Sequence, residues 1–413
     1  MRAFEYRGGA LHSGEVKLEE IARAVGTPCY VYSGDAIRSR FEEYAGAFAG
    51  MPHLICYAVK ANGNLAVLRL LAGAGAGFDI VSGGELFRVL RAGGEAGKTV
   101  FSGVGKTEKE IAEALEAGIH SFNCESAGEL EVLSAVAERL GKKAPVALRV
   151  NPDVDAVTHP YISTGMREHK FGIAMSDVEG ICEEARGLKG IEIRGVSCHI
   201  GSQILDFAPM LEAAERMVEL AVRLRGRRFA IGTLDLGGGL GIAYHAGQSG
   251  PRIGEFARAL RGKIEGSGLE VMVEPGRSIV GEAGVLLTRV LYRKRSGGKE
   301  FAIVDAAMND LIRPALYQAH HEILALGERK DTARADVVGP VCETGDFFAR
   351  NREIPDVGPG EYVALASAGA YGFSQSSNYN SRPRAAEVLV EGGKWRVVRE
   401  RETYESLVAG ERV

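Results

Sequence analysis

Residues 233–241 read TLDLGGGLG and residues 270–277 read EVMVEPGR. Each is a short β-rich run ending in a glycine turn, and together they decide the fold. Six further short β-rich runs precede them, at 55–59, 78–81, 99–102, 121–123, 145–150 and 194–198, so that with 233–236 and 270–273 there are eight. Between them lie segments with apolar residues at helical spacing, for example Leu65, Leu68 and Leu71, or Ile111 and Leu115. Strands alternating with helices are the signature of βα units around a parallel sheet. Eight such units close into a (β/α)8 TIM-type barrel. A doubly wound open sheet uses the same local pattern. However, no G-x-G-x-x-G follows the first run, whereas glycine turns follow the seventh and eighth, where barrels often build a phosphate site, and this favours the barrel.

After about Ser278 the helical rhythm gives way to strand-like runs at 286–293, 300–304, 335–341, 362–366, 386–390 and 395–399, punctuated by Gly358-Pro359-Gly360 and Gly392-Gly393. A barrel over 30–278 and a second, mostly β domain from 1–29 plus 279–413 are therefore expected. The stretch 29–32 is also strand-like and is a candidate for an added strand in that β domain.

Composition narrows the function classes. The 413 residues carry a net charge of −4 with no long run of either sign, which offers no electrostatic footprint for nucleic acid or an anionic membrane. With 46% hydrophobic residues the chain can bury a large core, yet its apolar runs, such as 285–287 and 301–304, fall far short of the roughly 20 residues that cross a bilayer. Residues 1–10 contain no apolar signal-peptide core, so a cytoplasmic location is expected. Six cysteines form no C-x-x-C pair and read as reduced, buried thiols. Nine histidines include no H-E-x-x-H, and the adjacent His320 and His321 point to different faces of any regular element, so no metal site is indicated.

Residues just past the strand ends of a barrel converge on one mouth, so their chemistry is the informative test. The first run leads into Lys60, where desolvation would leave a nucleophilic amine. Taken alone, it reads more simply as a lysine snorkelling from a strand end. The sixth run leads into His199 and Ser202, the seventh into Gly237 to Gly239, and the eighth into Glu274, Gly276 and Arg277. His199 alone is a structural histidine, the glycines alone a flexible turn, and Glu274 with Arg277 an ion pair. Together an amine, a flat ring, a phosphate cradle and a carboxylate suit pyridoxal 5′-phosphate, an aldehyde on a phosphorylated pyridine. Lys60 would bind its aldehyde, the glycine N–H groups its phosphate, His199 its ring face and Glu274 its protonated nitrogen.

The chain is similar to the diaminopimelate decarboxylase family, among the fold-type III pyridoxal-phosphate enzymes that include the ornithine and arginine decarboxylases. The resemblance covers nearly the whole chain. It is carried by 57–62 (YAVKAN), 199–203 (HIGSQ), 235–239 (DLGGG), 274–278 (EPGRS), 342–346 (CETGD), 369–372 (GAYG) and 380–384 (NSRPR). Thr344 stands where the family more often has Ser. The resemblance implies an alanine racemase-like fold and a homodimer whose sites are completed by Cys342 and Glu343 of the other chain. It further implies decarboxylation of meso-2,6-diaminopimelate to L-lysine and carbon dioxide. By the same carry-over Lys60 holds the cofactor, and Ser202, Gly239, Gly276, Arg277 and Tyr371 contact it, with His199 and Glu274 at the ring. Arg277, Arg313, Tyr317, Glu343 and Tyr371 bind substrate, and Cys342 donates a proton. From the residues alone, Cys342 with Glu343 reads as a buried thiol beside a solvated charge, and 313–317 as a turn before a helix. The rivals are a basic amino-acid or carboxynorspermidine decarboxylase or a racemase with a similar barrel, and a non-catalytic cofactor carrier, which usually lacks a second domain.

Overall fold

The computed structural model describes residues 3–155, 170–245 and 247–413. The chain divides into two compact units, one of Arg40–Ile242 with Ser249–Gly276, the other of Met1–Ser39, Ala243–Gln248 and Arg277–Val413.

The first unit is a closed parallel barrel. Its strands run His53–Ala58, Gly77–Ile80, Thr99–Phe101, Ser121–Cys124, Ala144–Asn151, Ile191–Ser197, Thr233–Asp235 and Glu270–Val273, each hydrogen-bonded to the next. The last pairs with the first, Val271 opposite His53, which closes the ring. All eight coincide with the expected runs to within a few residues. A helix follows each of the first seven strands. The first, Leu65–Gly73, buries Val67, Leu68, Leu70 and Leu71 but leaves Leu65 exposed at its start. The helix Glu108–Ala117 is bounded by chemistry alone: Thr107 and Glu110 form a reciprocal capping box, and Gly118 in the left-handed conformation ends it.

Strand periodicity sets what lies inside the barrel. Cys56, Val100 and Met272, from three strands, pack together as an apolar layer. Two residues further along, the same face carries Ser102 after Val100 and Glu274 after Met272, because side chains alternate with period two. The interior therefore turns polar at the C-terminal ends of the strands.

The second unit is built on a sheet ordered Phe347–Pro355, Thr332–Val338, Lys299–Val304, Gly284–Ser296, Cys29–Ser33, Ala386–Glu391, Lys394–Arg399. Cys29–Ser33 is a central, fully buried strand, antiparallel to Gly284–Ser296 and parallel to Ala386–Glu391. Its Cys29 and Val31 share a core with Leu11, Leu18, Ile21, Val285, Leu287, Val388 and Val390. Residues 347–355 (FFARNREIP) were not expected as a strand: the run Arg350-Asn351-Arg352-Glu353 hides the apolar alternation, and such charge is typical of an edge. Ile323–Ala325, paired with Tyr362–Leu365, was too short to stand out. Residues 313–317 are themselves a short helix, Arg313–Tyr317, rather than a turn before one.

Candidate active site

Lys60 sits in the single 3-10 turn Val59–Ala61 that ends the first barrel strand, and its Nζ is ion-paired with Asp79 of the second strand. The amine is thus held by a carboxylate rather than surrounded by apolar groups. Asp79 is fully buried, and its Oδ1 has no hydrogen-bond partner. Across the interior, Asn123 Nδ2 lies 2.9 Å from Asp235 Oδ2, 3.1 Å from Ser102 Oγ and 3.4 Å from Glu274 Oε1, while Ser102 Oγ lies 3.3 Å from Glu274 Oε1. Burial raises the proton affinity of both Glu274 and Asp235, and their mutual repulsion raises that of Glu274 further.

The loops after strands six and seven are tied together. Ile204 N–H donates to Gly239 O (2.9 Å), Gly241 N–H to Ile204 O (2.9 Å) and Gln203 Nε2 to Ile242 O (2.6 Å). A Cβ on Gly239 would lie 2.7 Å from Gly201 O, and one on Gly237 2.7 Å from His199 Nδ1, so the glycines first make room for neighbouring loops and the imidazole. Loss of hydration, with the charges of Arg149 and Lys60, pushes the His199 pKa down to about 3, so the ring is neutral.

In the second unit, Arg277 and Arg313 are buried around one tyrosine. Arg277 Nη1 donates to Tyr244 Oη at 2.7 Å, and the guanidinium lies 4.9 Å from the Tyr371 ring centroid. Arg313 lies 4.8 Å from the Tyr244 centroid and 2.9 Å from His321 Nε2. Tyr371 is left-handed (φ 56°), a costly conformation for a bulky residue. Tyr317 Oη accepts from Gln375 Nε2 at 3.2 Å. Elsewhere in this unit Cys342 and Glu343 are both exposed, which corrects the expectation of a buried thiol; Glu343 Oε1 accepts from Tyr379 Oη at 2.6 Å. The loop they occupy is closed by buried Asp346, whose carboxylate accepts the N–H groups of Met308 and Val341, both at 2.7 Å.

Residues 34–281 match the family model described as pyridoxal-dependent decarboxylase, pyridoxal binding domain. Over its whole length the chain is 56% identical to a diaminopimelate decarboxylase of Pseudomonas aeruginosa, across 99% of that protein. The chain belongs to the diaminopimelate decarboxylase family. Another such relative, from Aquifex aeolicus, is 52% identical over 98% of the chain and 96% of its own length. Among solved structures, the diaminopimelate decarboxylase of Helicobacter pylori complexed with L-lysine superposes with a TM-score of 0.92 at 42% identity, covering 95% of this chain and 98% of that one. Family membership makes the protein a pyridoxal-phosphate-dependent decarboxylase with the alanine racemase-like fold.

The donor set fits that cofactor. Glu274 and Asp235 are two buried acids with raised proton affinity and no ion-pair partner among the described residues, an arrangement suited to a group that brings a basic ring nitrogen. Among the described residues the N–H groups of Gly238, Gly239 and Gly276 make no hydrogen bond, and they remain as donors for a phosphate. In the diaminopimelate decarboxylase family motifs, sequence reasoning gave no role to Asp79, Ser102, Asn123, Tyr244 or His321. A signal existed for three of them: Asp79, Ser102 and Asn123 are buried polar residues in or just past the C-terminal ends of short barrel strands.

Proposed function

We infer that the protein removes the carboxylate at the D-configured carbon of meso-2,6-diaminopimelate, releasing carbon dioxide and L-lysine, the last step of lysine biosynthesis. The observation that carries this reading is Arg313. Its guanidinium is buried, lies against a neutral imidazole and a tyrosine ring, and has no carboxylate partner among the described residues, which suits a substrate with a second carboxylate.

When bound, pyridoxal 5′-phosphate supplies an electron sink for the pair left by the departing carbon dioxide. Lys60 provides the amine that holds its aldehyde, with Asp79 orienting that amine. Glu274 keeps a proton at the ring nitrogen, and the neutral His199 imidazole offers a flat face to the ring. The N–H groups of Gly239 and Gly276, with Ser202, Arg277 and Tyr371, hold the phosphate end. Arg277, Arg313, Tyr317 and Tyr371 bind substrate, Glu343 pairs with its distal ammonium, and Cys342 passes a proton to the carbon that lost its carboxylate.

We read the protein as a cytoplasmic homodimer in which Cys342 and Glu343 serve the other chain's site. In support, Cys342 is the one exposed thiol of six, and no helix among the described residues is long and apolar enough to cross a membrane. The test is to incubate the purified protein with pyridoxal phosphate and meso-diaminopimelate and measure L-lysine and carbon dioxide. Absence of lysine despite bound cofactor overturns the reading, and carbon dioxide from ornithine, arginine or carboxynorspermidine instead would reassign the substrate.

A further inference from the structure

We propose that His321 is a positioning residue for substrate selection, a neutral hydrogen-bond acceptor that fixes the Arg313 guanidinium in the orientation that receives the substrate's distal carboxylate. The proposal rests on the reading above that Arg313 binds that carboxylate.

The hydrogen bonds determine the tautomer by elimination. His321 Nδ1 lies 2.7 Å from the carbonyl oxygen of Ala366, which can only accept, so Nδ1 carries the hydrogen. His321 Nε2 lies 2.9 Å from Arg313 Nη1, which can only donate, so Nε2 carries none. Burial and the Arg313 charge push the pKa of this imidazole down to about 3, in keeping with a permanently neutral ring.

The histidine is itself rigidly held. Its carbonyl accepts from Arg352 Nη1 at 2.9 Å, and the next residue's carbonyl accepts from Ala366 N–H at 2.8 Å. Its ring meets Tyr244 edge-on, centroids 5.6 Å apart, and Tyr244 also faces Arg313 and accepts from Arg277. A guanidinium needs a fixed plane to bind a carboxylate through two parallel bonds. The Tyr244 ring lies 4.8 Å from the guanidinium, and the His321 bond fixes the position of its Nη1 edge. A carboxylate in place of the imidazole would neutralise Arg313 and compete with the substrate, so a neutral acceptor suits this position.

Two variants separate positioning from mere packing. His321→Asn keeps a donor near Nδ1 for Ala366 but loses the acceptor facing Arg313, whereas His321→Gln keeps an acceptor near Nε2. Both are assayed as pyridoxal-phosphate holoenzymes, with melting temperatures, against meso-diaminopimelate and against D-lysine, which lacks only the distal carboxylate, used as substrate or competing inhibitor. The expected result is a KM for meso-diaminopimelate raised about 10-fold in the Asn variant with kcat little changed. D-lysine should be handled as before, and the Gln variant should retain most of the wild-type discrimination. An unchanged KM in the Asn variant, or parallel losses for both substrates, overturns the proposal, as does a folded Gln variant that loses the discrimination. Wild-type protein that leaves meso-diaminopimelate untouched overturns the substrate reading and this proposal together; active wild type with indistinguishable variants overturns the proposal alone.

Discussion

At the scale of single residues, buried charges such as Asp79 and Arg313 are each held by a specific partner, Lys60 and His321. In the proposed function Lys60 is the most consequential, since its amine would be the group that receives the cofactor aldehyde. Lys60→Ala should abolish both turnover and the visible absorbance of the bound cofactor, read by spectrophotometry after dialysis. Cys342→Ala should leave that absorbance intact while kcat falls by about 10²–10⁴, the usual worth of a positioned acid, measured by carbon dioxide release. The buried imidazole of His321 also has a stability signature. Its pKa lies near 3 in the folded chain against an ordinary 6.5, so the unfolded chain takes up the proton first as pH falls. This contribution is fully present above pH 6.5 and is lost progressively towards pH 3, by up to about 1.4 kcal/mol per pH unit. Urea titrations of His321→Gln from about pH 7 to about pH 4 should therefore show a shallower loss of stability than wild type.

At the scale of elements, boundaries are set by caps and by close backbone approach. Thr107 Oγ1 accepts Glu110 N–H at 3.3 Å, and Glu110 returns the bond to Thr107 N–H at 3.1 Å while also accepting Gly83 N–H at 2.9 Å. Thr107→Ala should cost about 1 kcal/mol in denaturant unfolding and leave kcat unchanged, because the cap orders one helix start. Gly369 is different in kind: a Cβ there would meet Val280 O at 1.9 Å and crowd Gly284 N at 2.9 Å. Gly369→Ala must push these backbones apart, with an expected loss of at least about 1–3 kcal/mol in the same measurement. The first glycine of the GAYG motif is thus explained by packing before any ligand is considered.

At the scale of the whole molecule, the testable claim is the shared site of the proposed homodimer. Lys60→Ala and Cys342→Ala damage different chains' contributions to one site. Mixing equal amounts of the two inactive variants should therefore generate mixed dimers with one intact site each, restoring up to about a quarter of wild-type activity. No recovery, with dimers demonstrated by sedimentation, would show that each chain completes its own site.

Much of this protein was legible in its sequence because local rules are written there. Short β-rich runs alternating with helical patterns located all eight barrel strands, and the strand-end residues Lys60, His199 and Glu274 with the glycine turns suggested a cofactor by their chemistry alone. Edge strand 347–355 was missed because an edge is free to carry charge on both faces, so no alternation survives. Cys342, Glu343 and Arg313 drew their meaning from family resemblance, since neither spacing nor neighbours in the chain mark them. What only the tertiary structure decided is which distant groups meet: Lys60 with Asp79, Asn123 with Asp235 and Glu274, Arg313 with His321 and Tyr244. Such pairings depend on barrel closure and sheet register, and a proton affinity depends on the water removed and the charges brought near, neither of which is a property of residues taken in order.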